Sequence, residues 1–178
     1  SPLARMRKEA VVWHDDLSWY SHNGVGVDRS GEFKAFSVFV VLNVVELEDE
    51  LILLTRGEGV HRFNGDSFEK LDLPEGVNYF DVAKPASGPW LFATDHGLCI
   101  WRENGRRIEF LGMEDGFPSS IVCAILPDEW GTYWVSTFAG VVRYDLAHGL
   151  LEHHAPLVEF NRFSKGTGPN GELAFGST

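Results

Sequence analysis

The stretch Gly131-Thr-Tyr-Trp-Val-Ser-Thr137-Phe-Ala-Gly140-Val-Val-Arg-Tyr144 decides the fold, because Gly88-Pro-Trp-Leu-Phe-Ala-Thr94-Asp-His-Gly97-Leu-Cys-Ile-Trp101 repeats it. In each copy a Gly is followed six residues on by Thr, three residues later by a second Gly, and then by an apolar run ending in an aromatic residue. Working outward, Leu51-Ile-Leu-Leu-Thr55-Arg-Gly-Glu-Gly59-Val-His-Arg-Phe63 is an earlier copy with one extra turn residue, and Gly171-Glu-Leu-Ala-Phe-Gly-Ser177 a later one. Leu17-Ser-Trp-Tyr-Ser21-His-Asn-Gly24-Val-Gly-Val27 is a weaker first copy. The anchors Ser21, Thr55, Thr94, Thr137 and Ser177 are separated by 34, 39, 43 and 40 residues.

Each unit holds short runs rich in Val, Ile, Phe, Tyr and Trp, separated by Gly, Pro, Asp and Asn, and such runs read as antiparallel strands. The fourth run of a unit is plain at Ser67 to Leu73 and Arg107 to Leu111 and weaker at Leu150 to His154. The Val-rich, uncapped window from Val40 to Thr55 favours strand over helix. Four meandering strands and a period near forty predict an all-β fold of β-propeller blades, stacked because one blade cannot bury both faces alone. The predicted organisation is a single partial propeller over residues 1–178, with blades near 11–37, 38–73, 76–111, 116–154 and a truncated 157–178. About four blades imply an open arc or a forced small ring, with exposed sheet edges and poor solubility in isolation. Trp90, Trp101 and Trp134 are expected in the core between blades.

Composition narrows the function. At 44% hydrophobic and 13% aromatic residues the chain buries a core without disulfides, and Cys99 and Cys123 each sit in an apolar run as buried thiols. Fifteen basic against twenty-six acidic residues give a net charge of -11, which repels nucleic acid and anionic membranes; the basic cluster Arg5, Arg7, Lys8 is short and terminal. The longest apolar run, Phe36 to Val45, is far below the roughly 20 residues of a membrane helix.

The stretch from Glu114 to Asp145, beginning Glu-Asp-Gly-Phe-Pro-Ser-Ser and ending Gly-Val-Val-Arg-Tyr-Asp, resembles the two-component regulator propeller repeat, whose pattern runs D-G-L-P-S-N, then D-x-x-G-x-L-W-[IV]-G-T-x-x-G-L-x-R-[FY]-D. Ser120 stands where the pattern has Asn, and the leader survives elsewhere as Glu75-Gly-Val-Asn78. The tail from Glu159 to Ser177 looks like the variant blade that closes such sensor propellers. The resemblance covers Leu17 to Thr178 and is strongest from Gly112 onward. It implies a sensor segment on the periplasmic side of a bacterial inner membrane protein, followed in the family by an immunoglobulin-like domain, a membrane helix and a histidine kinase or diguanylate cyclase output. It further implies that the partners are neighbouring blades, the output domain and a second copy in a homodimer, that no cofactor is required, and that the chain is itself no enzyme.

In a four-strand meander, the lead-in to the first strand and the turn between the second and third strands emerge at one end, the natural ligand mouth. That end is expected to carry His22, Asn23, Arg56, Glu58, Asn78, Asp95, His96, Ser119, Ser120 and Phe138. Such a mixture suits hydrogen bonding and stacking to a small polar ligand such as an oligosaccharide, although turns favour polar residues on their own account. No metal site is read: His153 and His154 are adjacent in a strand and point to opposite faces. No nucleophile motif Gly-x-Ser-x-Gly occurs, Gly57-Glu-Gly59 and Gly24-Val-Gly26 are turn glycines, and Asp15-Asp16 and Glu48-Asp49-Glu50 are solvated turn charges. Two other readings stay open: a propeller hydrolase or lyase, which needs two facing carboxylates, and an interaction scaffold, which needs a broad apolar patch.

Overall fold

The computed structural model of the chain describes residues 9–13, 16–21, 24–29, 32–35, 40–47, 50–63, 67–155, 165–167 and 173–175. All regular structure in them is β apart from two short 3-10 turns. The strands are β1 (Glu9–Trp13), β2 (Asp16–Ser21), β3 (Gly24–Arg29), β4 (Glu32–Ala35), β5 (Val41–Leu47), β6 (Glu50–Thr55), β7 (Val60–Phe63) and β8 (Phe68–Lys70). They continue as β9 (Tyr79–Ala83), β10 (Trp90–Thr94), β11 (Gly97–Arg102), β12 (Arg107–Leu111), β13 (Val122–Pro127), β14 (Tyr133–Thr137), β15 (Gly140–Asp145) and β16 (Gly149–His154). A last pair is β17 (Lys165–Thr167) and β18 (Leu173–Phe175). These form four antiparallel sheets with neighbours in chain order, β1 to β4, β5 to β8, β9 to β12 and β13 to β16, plus the two-stranded sheet β17-β18. They are four-stranded meanders of the kind that make propeller blades.

The chain divides into two compact units, residues 1–79 and 80–178. In the first, β1 and β2 pack against β5. Strand β6 is buried on both faces, with Leu51, Ile52, Leu53 and Leu54 fully enclosed, which is why its sequence is continuously apolar rather than alternating. The fourth strand here is shorter than the apolar run suggests: only Phe68–Lys70 pairs, and Leu71 and Leu73 turn inward beyond it.

In the second unit β10 packs against β13 and one apolar cluster fills the space between the two sheets. Leu91, Ala93, Leu98 and Ile100 meet Val122, Ile125, Tyr133, Val135, Val142 and Tyr144. A polar link runs through the same layer: the buried carboxylate of Asp81 on β9 accepts the backbone N–H of Ile125 on β13 at 2.8 Å.

Trp90 and Trp101 are buried, their ring centroids 6.0 Å apart, but Trp134 departs from expectation and is only half-buried. Its neighbours Tyr133 and Val135 face the apolar cluster, so alternation turns Trp134 to the other face of the sheet, against His154 (centroids 5.5 Å apart) and Arg143. Both cysteines are buried, and burial pushes the Cys99 thiol up to about 12, leaving it protonated and inert.

Candidate ligand-binding site

The turns at the expected mouth share one internal device. Thr94 donates its hydroxyl to the carbonyl of Gly97 at 2.8 Å and accepts the N–H of His96 at 3.0 Å. Thr137 donates likewise to Gly140 at 2.8 Å and accepts from Ala139 at 3.2 Å. Thr55 donates to Gly59 at 2.6 Å and accepts from Glu58 at 3.2 Å. The hydroxyl thus replaces ladder partners that the chain loses while reversing direction. All three threonines are buried, so the loop residues between anchor and glycine project outward from a fixed base.

A backbone latch then joins each of two turns to its own sheet's lead-in. Arg56 N–H donates to Val40 at 3.0 Å, and Phe138 N–H donates to Ile121 at 3.2 Å. The latched strands β5 and β13 both carry a register shift at this end, between Val41 and Asn43 and between Val122 and Ala124.

Within residues 1–79, Arg56 bridges Asn78, and around them Gly57 N–H donates to Val77 at 3.2 Å and Gly76 N–H to Gly57 at 2.7 Å. Glu58 lies in the same turn, exposed, and its carbonyl is 3.3 Å from Nε2 of the buried His61. Within residues 80–178, Asp95 Oδ1 and His96 Nδ1 are 2.7 Å apart, and the imidazole edge approaches the Phe110 ring at 6.4 Å between centroids. Ser119 Oγ accepts the N–H of Ile121 at 3.0 Å, and the Phe138 latch joins the backbone of this lead-in to the turn that carries Phe138, whose side chain is exposed. His22 and Asn23 lie outside the described residues. The second unit thus carries an imidazole-carboxylate pair on the β10-β11 turn, and two serines with an exposed aromatic side chain on the β13 lead-in and β14-β15 turn, groups able to hydrogen bond with hydroxyls and to stack.

At the opposite end of the β9 to β12 sheet is a feature that residue patterns did not suggest. The β9-β10 and β11-β12 connections border an open cleft of about 800 Å³ whose lining includes Lys84, Trp90, Arg102, Glu103, Asn104 and Arg107. Arg102 and Arg107 flank one short turn and are set opposite each other by the pairing of β11 with β12, while Lys84 comes from the β9-β10 connection.

A third polar arrangement is structural. Asp128 accepts the N–H groups of Trp130 at 3.0 Å and Thr132 at 2.9 Å, bonds the Thr132 hydroxyl, and pairs with Arg143 at 3.3 Å. Burial works to raise its carboxyl, but the Thr132 and Trp130 bonds and the Arg143 charge outweigh that and hold it below the usual carboxylate range. Among the described residues no group of three His, Cys, Asp or Glu side chains is placed to hold a metal ion. Among them, also, no helix is long and apolar enough to cross a membrane.

No protein-family model matches the chain, and no curated protein matches it. Solved structures do. The extracellular domain of a hybrid two component system from B. thetaiotaomicron superimposes with a TM-score of 0.77 at 13% identity, over 94% of this chain and 25% of that one. Virginiamycin B lyase from Staphylococcus aureus gives 0.72 at 13% identity over 94% of this chain and 62% of that one. The WD40 beta propeller domain of Doa1 gives 0.67 at 13% identity over 94% of this chain and 59% of that one. This chain therefore spans about a quarter of the length of the sensor ectodomain. At such identities the likeness is one of fold, and the fold is that of β-propeller blades.

Proposed function

We propose that this chain is a propeller segment of the extracytoplasmic sensor region of a bacterial membrane-bound signalling protein, taking a small neutral polar ligand, of the oligosaccharide type, at the turns that follow the anchor threonines. The observation that carries the reading is a coincidence of two kinds of likeness. The Glu114 to Asp145 sequence resembles a sensor propeller repeat, and the fold matches a two component ectodomain over 94% of the chain. In this reading the segment performs no catalytic step; ligand contact at Asp95, His96, Ser119, Ser120 and Phe138 is passed on as a packing change to the next domain or to a dimer partner, with a phosphorelay as the downstream response.

Calorimetric titration of the chain with a panel of neutral oligosaccharides tests the mouth. Saturable binding that falls at least tenfold in His96→Ala and in Phe138→Ala, with unchanged thermal unfolding, supports it; binding unaffected by both substitutions removes these residues from the site. The similarity to virginiamycin B lyase favours a second reading as a lyase-type propeller. Ligand turnover during the same titration, detected by chromatography of the recovered sugar, would favour that reading over sensing.

A further inference from the structure

In the β11-β12 pairing, Arg102 stands directly opposite Arg107. Side chains so placed have Cβ atoms about 4.5–5.5 Å apart, and two like charges there are destabilising. The chain carries twenty-six acidic residues and fifteen basic ones, so an opposed pair of arginines is not forced by composition. Both are exposed, and among the described residues Arg107 pairs with the loosely placed Glu109 carboxylate at 3.9 Å.

The two arginines line the cleft of about 800 Å³, within the range of roughly 300–1,000 Å³ usual for small-ligand sites. Lys84 adds a third cation, its Nζ 4.4 Å from the centre of the Trp90 ring, and Glu103 is the one carboxylate in the lining. Pro85 and Pro89 restrict the backbone of the β9-β10 connection on either side of Gly88, and Arg106 adopts the left-handed region, at φ 47, in the β11-β12 turn. Two like charges set opposite each other by the pairing, with a third cation in the same cleft lining, form a local electrostatic conflict that a negatively charged ligand would relieve.

We propose that this cleft binds a small anionic ligand through Arg102, Arg107 and Lys84, the ligand carrying carboxylate, sulfate or phosphate oxygens that fork between the two guanidinium groups. The site is at the opposite end of the sheet from Asp95 and His96, and it is independent of the sensing function proposed above.

Calorimetry of the full 178-residue chain at low salt, with sucrose octasulfate, tri-galacturonate and inositol hexakisphosphate as probes and maltotriose as the neutral control, separates the three anionic chemistries. The expected result is saturable binding of at least one anionic probe, weakened by added NaCl, and reduced at least tenfold in Arg102→Ser and in Arg107→Ser. Arg102→Glu is expected to abolish binding while leaving Tm unchanged or raising it by about 1–3 °C, because opposite charges then face each other. Absence of binding by all three anionic probes, equal binding by maltotriose, or binding within twofold of wild type in the Arg102→Ser, Arg107→Ser double variant overturns the proposal. So does a Tm loss in Arg102→Glu, which would show that the arginine pair is held for the fold's sake.

Discussion

Thr94 and Gly97 are bound to each other by a hydroxyl-to-carbonyl hydrogen bond of 2.8 Å, and Thr137 and Gly140 repeat that bond at the same length one sheet later. The threonine-x-x-glycine signature of the repeat is therefore a turn staple: the hydroxyl supplies one donor and one acceptor where the backbone ladder is interrupted.

Replacing Thr94 or Thr137 by Val keeps the shape and removes both bonds. Each substitution is expected to cost about 1–2 kcal/mol, and chemical denaturation should show the midpoint falling with an unchanged slope.

Glycine is required on steric grounds at Gly97. Its φ is +114, and a Cβ there would lie 2.2 Å from the carbonyl oxygen of Leu111, where β12 ends. Gly131 has φ +80 but no atom within 4 Å of the corresponding position. Gly97→Ala is expected to cost about 3–5 kcal/mol, through clash and strain together, and Gly131→Ala about 1–2 kcal/mol through strain alone. Paired urea titrations compare them.

Asp81 ties β9 to β13 by accepting the Ile125 N–H inside the apolar layer. Asp81→Ala removes a buried acceptor and should lose about 1–3 kcal/mol, while Asp81→Asn keeps an oxygen there and should lose less. Protection of the Ile125 amide in hydrogen exchange is the readout, and it should fall more in the alanine variant.

His61 gives the fold a pH dependence of known sign. Burial is the largest influence and lowers its pKa from 6.5; the bond with the Glu58 carbonyl opposes it, the charge of Lys70 adds to it, the Glu58 carboxylate opposes it last, and the net shift is downward. The folded state thus prefers neutral imidazole, so the unfolded chain takes up the proton first as pH falls through 6.5. Stability from this group is complete above that pH and is lost progressively below it, down to the folded-state value. Asp128, held low, contributes in a more acid window, below the ordinary aspartate value of 3.8. The Tm difference between wild type and His61→Gln should shrink from pH 7.5 to 5.5; a constant difference would mean that His61 does not titrate with unfolding.

The parts of the fold written in local chemistry were legible in the sequence. Thr94 and Gly97 announce a turn because few other residues can make it, and the Val-rich run of β5 and the Leu-rich run of β6 announce strands by their own preferences. Trp134 was not legible as half-buried, because its side of the sheet depends on register and on what covers that face. The fourth strand near Phe68 was overestimated for a related reason: Leu71 and Leu73 are apolar because they turn inward, not because they pair. At the candidate site, Phe138 with Ser119 and Arg56 with Asn78 were named as turn residues, but the backbone latches through Ile121 and Val40 that fix them have no side-chain signature. The opposition of Arg102 and Arg107 was hidden for the same cause, since it exists only once the turn through Arg106 sets the pairing of β11 with β12.

The most direct test of the sensor reading is to sequence the reading frame on both sides of this segment and express the complete protein. The expected result is further propeller repeats with a membrane-spanning segment and a kinase or cyclase output downstream, in a protein whose propeller is accessible to protease added outside the inner membrane. A frame that instead encodes a secreted propeller with no membrane segment and no output domain would contradict it.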